Sequence, residues 1–165
     1  MVISAYQPVE KRGKEGTNSV VPQHQSLLLQ SSDPTDNPRI AFRRDPLQQL
    51  QAYRKDDVEF LLVGDFNEEY DSNPDGISTI ASNLGLINLM AHQHPTQPSP
   101  ITYARGVKCL DFAMGTPRVA KAVIAAGYEA FNERFVSVHL GYFFDLITTI
   151  LFGSPTQDLA TPSRR

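Results

Sequence analysis

Four polar residues at three places along the chain have the types and settings for proton transfer or metal binding. Asp65 and Asn67 follow an apolar run, Phe60-Leu61-Leu62-Val63, and a single glycine, Gly64. A carboxylate just past a strand can accept a proton or bind a metal, and a carboxamide two residues on can orient an oxyanion. Asp111 lies between Leu110 and Phe112, on a stretch that reads as a buried strand. An unpaired carboxylate there is costly, so it needs a partner. His139 is the natural one, because a buried aspartate fixes an imidazole tautomer and raises its basicity.

These residues need elements to position them. Phe60–Val63 reads as a short strand buried on both faces, ended by Gly64, with the polar pair emerging where ligands converge in layered α/β proteins. Val2–Tyr6 is a second strand, stopped by Pro8, with Tyr6 at its mouth. Residues 9–18 form a charged, glycine-rich loop whose Lys11, Arg12 and Lys14 either contact phosphates or are solvated. Ser19–Gln30 suits a helix with Leu27, Leu28 and Leu29 inward, and residues 31–38 form a turn cluster. A second helix is expected over Arg43–Lys55, opened by Asp45-Pro46, with Leu47, Leu50 and Tyr53 inward.

Beyond Asn67, the residues Glu68, Glu69, Asp71 and Asp75 make an acidic loop without calcium-loop spacing, read as solvated. Gly76–Leu84 is a short helix ended by Gly85. His92 and His94 have no further ligand spaced nearby, which favours exposed loop histidines over a metal site. Ile101–Met114 reads as two strands joined at Arg105-Gly106. An alanine-rich helix over Pro117–Ala126, a strand over Tyr128–Phe131 and a strand over Ser137–Leu146 complete the expectation.

Composition narrows the class. A chain of 165 residues with 41% hydrophobic and 20% charged residues can bury one real core. Its formal charge of −3 gives no global footprint for nucleic acid, so such a partner would need a local basic patch or metal ions. Cys109 is the only cysteine, which excludes an internal disulfide and a thiolate cage and favours an intracellular setting, nucleus or cytoplasm. The apolar run Leu140–Phe152 is too short to span a bilayer and contains Asp145, and the N-terminus lacks a signal-peptide pattern. No membrane role is expected.

In order, Tyr6-Gln7-Pro8, Gly64-Asp65-Phe66-Asn67, Leu110-Asp111 and Ser137-Val138-His139 resemble the motifs of the endonuclease/exonuclease/phosphatase superfamily, the DNase I-like fold. The texture between them is similar to endonuclease domains of non-LTR retrotransposons. Gln23-His24-Gln25, Thr102-Tyr103-Ala104-Arg105-Gly106, Pro117-Arg118-Val119 and Gly127-Tyr128-Glu129 carry that similarity. The resemblance implies an α/β fold, a partial two-sheet β-sandwich flanked by helices. Residues 1–153 would be the C-terminal part of the domain, lacking its first strands, and residues 154–165 a disordered tail.

It also implies a phosphodiester hydrolase dependent on Mg²⁺ or Mn²⁺ and acting on nucleic acid, with DNA as the partner. Asp65 would orient or deprotonate the attacking water, and Asn67 would hold a phosphate oxygen. His139 would contact the scissile phosphate, oriented by Asp111, while Tyr6 would donate to a phosphate or stabilise the leaving side. Asp65, Asn67 and His139 would be the metal-side residues. The family's Ser-Asp-His aspartate is Val138 here, its following arginine is Leu140, and a glutamate ligand expected before the first strand has no counterpart. The expectation is therefore a site with weak or no activity. The alternative is a pseudoenzyme remnant that binds nucleic acid without turnover.

Overall fold

The computed structural model describes residues 1–9, 20–30, 37–55, 58–133 and 136–153. In chain order the elements are β1 (Val2–Tyr6), α1 (Val20–Gln30), α2 (Pro38–Lys55), β2 (Leu61–Asp65), α3 (Ile77–Leu84) and β3 (Ile87–Asn88). They continue with α4 (Leu89–Gln93), β4 (Asp111–Gly115), α5 (Pro117–Ala122), β5 (Val123–Glu129), β6 (Gly141–Leu146) and α6 (Thr148–Phe152). One sheet has the order β1-β2-β4-β3, and a second consists of β5 and β6. β1 lies parallel to β2, which needs a long crossover, here carrying α1 and α2. β4 is antiparallel to both β2 and β3. The architecture is α/β, two sheets flanked by helices.

Side-chain alternation along the strands explains the layers. Leu62, Phe112 and Met114 face one way and join Leu50 of α2 with Ile77, Ile80 and Leu84 of α3 in a first core. Leu61, Val63 and Ala113 face the other way and meet Val123, Ala126, Tyr128, Tyr142, Phe144 and Leu146 of the second sheet. Both faces of β2 are therefore covered, as its apolar run requires. β1 is different, because among the described residues it pairs with β2 alone, and it leaves Val2 exposed.

Several elements depart from the sequence expectation. α2 begins at Pro38, not Arg43, because Asn37-Pro38 offers the same cap and first-turn proline as Asp45-Pro46 and comes first. The Asn37 side chain accepts from the Arg39 amide at 2.9 Å, and Pro46 sits inside the helix. Packing of Phe42, Leu47 and Leu50 in and against the first core offsets the hydrogen bond that an internal proline forgoes. On α1, Leu27 is exposed rather than inward and Leu28 is half-buried.

The expected helix over Pro117–Ala126 stops at Ala122, and Val123 opens β5. The β-branched pair Val123-Ile124 and six residues of register with β6 outweigh the helical preference of the alanines. The first arm of the Ile101–Met114 hairpin shrinks to an isolated bridge between Tyr103 and His139. β6 starts at Gly141, so His139 precedes the strand instead of opening it. Among the described residues, no helix is long and apolar enough to cross a membrane. The loop with Lys11, Arg12 and Lys14, the turn residues 31–36 and the tail 154–165 lie outside the described residues.

Candidate active site

Register builds the site. Tyr6 on β1, Asp65 on β2 and Asp111 on β4 occupy one row across three neighbouring strands, Tyr6 paired with Asp65 and Asp65 with Asp111. Parity puts this row on the face shared with Leu61, Val63 and Ala113, toward the second sheet. Gly64 is required by the close pairing of β1 and β2, since a Cβ there would collide with the carbonyl oxygen of Ala5.

Beyond Asp65 the chain turns through Phe66, which is fully buried, to Asn67 in a left-handed conformation, φ 49°. Asparagine tolerates that region because its short polar side chain bonds locally. Its amide N–H donates to Asp65 Oδ1 at 3.0 Å. Its Nδ2 donates to Asp65 Oδ2 at 3.2 Å and to the Gln7 carbonyl at 2.8 Å. Asn67 thus fixes the Asp65 carboxylate and ties it to the end of β1.

Asp111 is held from behind, where Thr102, fully buried, accepts from the amides of Leu110 and Asp111 at 2.8 and 3.1 Å. The segment bearing His139 is strapped to the same loop: Leu140 N–H donates to Thr102 O at 2.9 Å and Ala104 N–H to Val138 O at 2.8 Å. Ser137 Oγ accepts from the His139 amide at 3.0 Å. The imidazole meets Asp111 through Nδ1, 3.1 and 3.2 Å from the two carboxylate oxygens. A carboxylate only accepts, so the proton sits on Nδ1. The opposite nitrogen, Nε2, then faces Asp65 Oδ2 at 4.0 Å. The Tyr103 ring lies 5.0 Å from the imidazole, centroid to centroid, and completes its cradle.

Asp65, Asp111 and His139 each offer one ligand atom within 4.8 Å of the others, and they are the one such group among the described residues. Burial pushes the Asp65 carboxyl above its ordinary value of 3.8; Asp111 beside it pushes the same way, against the Asn67 hydrogen bonds and His139. Two carboxylates crowded together with an imidazole make an oxygen-rich donor set whose repulsion a divalent cation would relieve, so the residues fit a hard divalent cation. Asn67 Nδ2 is committed to Asp65 and Gln7, which fixes the side chain beside the carboxylate.

The raised Asp65 carboxyl has a stability consequence. The folded state takes up this proton before the unfolded state does, so the group's favourable contribution is complete below 3.8 and is lost as pH rises through the higher folded value. Asp65→Asn is therefore expected to melt above wild type at pH 7 to 8 without added cation. The gap should close as the pH is lowered toward 3.8, followed by circular dichroism across pH.

The acidic loop corrects the sequence reading. Glu68 is buried, not solvated. Its Oε2 takes Arg39 at 2.8 Å and Arg43 at 2.6 Å, while Oε1 accepts from the Ile77 amide at 2.7 Å at the start of α3. With both oxygens committed, Glu68 is no metal ligand. Glu69 makes an exposed pair with Lys108, and Asp71 and Asp75 are exposed. His94 is hydrogen-bonded through Nε2 to the Ala126 carbonyl at 2.8 Å, and His92 is exposed. Sequence reasoning missed Tyr103, Thr102, Arg39 and Glu68. The available signal was two arginines four residues apart on one helix face and an acid directly after Asn67.

No protein-family model matches the chain, and no curated protein matches it. Among solved structures, the 3′ phosphatase NExo from Neisseria, bound to product DNA hairpin, is similar with a TM-score of 0.48 and 17% identity. The match covers 67% of this chain and 55% of that one, so this chain spans about half the length of that structure.

Proposed function

We propose that the row Tyr6, Asp65, Asp111 with His139 and Asn67 is the phosphate-side part of a divalent-metal-dependent phosphodiester hydrolase site of the nuclease type. One observation carries the reading. His139 Nε2 and Asp65 Oδ2 face each other at 4.0 Å while Asp111 fixes the far side of the imidazole. In-line attack on phosphorus needs a group to orient or deprotonate water and a donor for a non-bridging oxygen. Asp65 suits the first role; His139 suits the second when Nε2 also carries a proton and joins the cation when it does not, with Asn67 holding Asp65 and Tyr6 beside it in the row. When bound, a cation held by Asp65, Asp111 and His139 would supply positive charge against the developing oxyanion.

Val138, exposed beside the histidine, offers no lone pair, so the protein's own set is short of carboxylates. The reading is therefore slow, Mn²⁺- or Mg²⁺-dependent cleavage of nucleic acid, in a domain whose motifs resemble those of mobile-element endonucleases. The second reading, retention of DNA without turnover, rests on the same missing carboxylate. Relaxation of supercoiled plasmid with Mn²⁺ or Mg²⁺ decides between them. Slow nicking that Asp65→Ala abolishes supports the hydrolase. DNA retained at moderate salt with no cleavage supports the second reading, and nicking that survives Asp65→Ala refutes the assigned site.

A further inference from the structure

The geometry points to Arg39 as a positioning residue of this site, acting through the Asn67 turn although it stands on α2, outside the catalytic row. Its guanidinium grips three oxygens. Nη1 donates to the Pro8 carbonyl at 2.8 Å and reaches the Asn67 carbonyl at 3.5 Å, while Nη2 pairs with Glu68 Oε2 at 2.8 Å. Asn67 Nδ2 holds the preceding carbonyl of the same strand end, that of Gln7, at 2.8 Å. Two donors, one from the turn and one from the helix, therefore clamp successive carbonyls just past β1. The same arginine anchors the peptide that leaves Asn67.

A closed circuit of this kind fixes a left-handed residue that would otherwise relax. The Asp65 carboxylate takes its orientation from Asn67, so freedom in the turn becomes freedom in the ligand. Arg43 makes a useful contrast. It shares Glu68 but has no contact with Pro8 or Asn67 among the bonds found in the described residues. Lysine in place of Arg39 keeps the positive charge for Glu68, but a point donor cannot span the Pro8 carbonyl and the Glu68 carboxylate as a planar fork does.

The inference rests on Asp65 being a cation ligand, and two readouts on the full chain separate it from that reading. Mn²⁺ affinity by electron paramagnetic resonance is expected to fall about tenfold to a hundredfold in Arg39→Lys, the usual cost of losing an outer-shell support, and to hold in Arg43→Lys. The melting temperature of Arg39→Lys should stay near wild type, because Glu68 keeps Arg43 and the introduced ammonium. Amide hydrogen exchange at Asn67, which needs no metal, should accelerate by about tenfold or more in Arg39→Lys and not in Arg43→Lys. Unchanged Asn67 exchange in Arg39→Lys, or equal acceleration in the two variants, overturns the inference. Wild type that binds no Mn²⁺ refutes the ligand reading alone, and the exchange measurement still decides the role of Arg39. Should Arg39→Lys fail to fold, Arg39→Gln, which retains hydrogen-bond donors, gives the same comparison.

Discussion

Asp111→Asn is expected to weaken Mn²⁺ binding, and any accompanying phosphodiester cleavage, by about a hundredfold or more while leaving the melting temperature unchanged or higher. The carboxylate supplies one ligand atom of the cluster and anchors the His139 ring at Nδ1, so its charge serves two parts of the site at once. In the proposed site Asp111 acts with Asp65 and His139, and loss of one member of such a set typically costs orders of magnitude. Stability runs the other way. Asp111 is buried beside Asp65 and raises the cost of ionising it, so neutralising Asp111 removes a repulsion. Its backbone support from Thr102 does not involve the side chain and survives the change. A site assembled for chemistry at the expense of the fold gives this divergence. Calorimetric titration with Mn²⁺ and a thermal melt on the same samples measure both. Parallel loss of affinity and melting temperature would instead mark Asp111 as a structural residue.

Glu68→Ala should do the opposite, lowering stability by about 3–5 kcal/mol, the usual cost of stranding one side of a buried ion pair. For a domain of this size that corresponds to a fall of ~10 °C in melting temperature. The side chain is 6% exposed and balances Arg39 and Arg43, themselves 14% and 17% exposed. It also caps the first amide of α3. Removing it leaves two half-buried guanidiniums facing each other and an uncapped helix start. Glu68→Gln keeps an oxygen for the Ile77 amide and should lose less. Urea unfolding of both variants checks the order, and equal losses would show that the charge contributes little.

The two substitutions also show what could be read from the chain alone. The pairing of Asp111 with His139 was legible because a carboxylate between Leu110 and Phe112 must find a partner, and that argument needs only the energetics of burial. The turn at Gly64-Asp65-Phe66-Asn67 was legible because an apolar run ending in glycine marks where a strand stops. Glu68 was not legible, because an acid in a run of acids looks solvated until the helix carrying Arg39 and Arg43 is known to pass over it. The start of α2 was not legible because two Asx-Pro pairs make equal caps, and the burial of Ala41 and the packing of Phe42, both ahead of Asp45, favour the earlier one. Val123 was lost for a related reason. Alanines before it favour a helix locally, whereas pairing with Leu146, distant in sequence, makes it a strand.

The Asn67 side-chain carboxamide closes on the Gln7 carbonyl across 60 residues of chain, and β1 pairs with β2 across the span that holds α1 and α2. A contact between residues so distant in sequence costs loop-closure entropy before it contributes, which slows folding. A fragment that ends before Leu61 therefore holds neither Asp65 nor Asn67, and β1 in it lacks β2 to pair with.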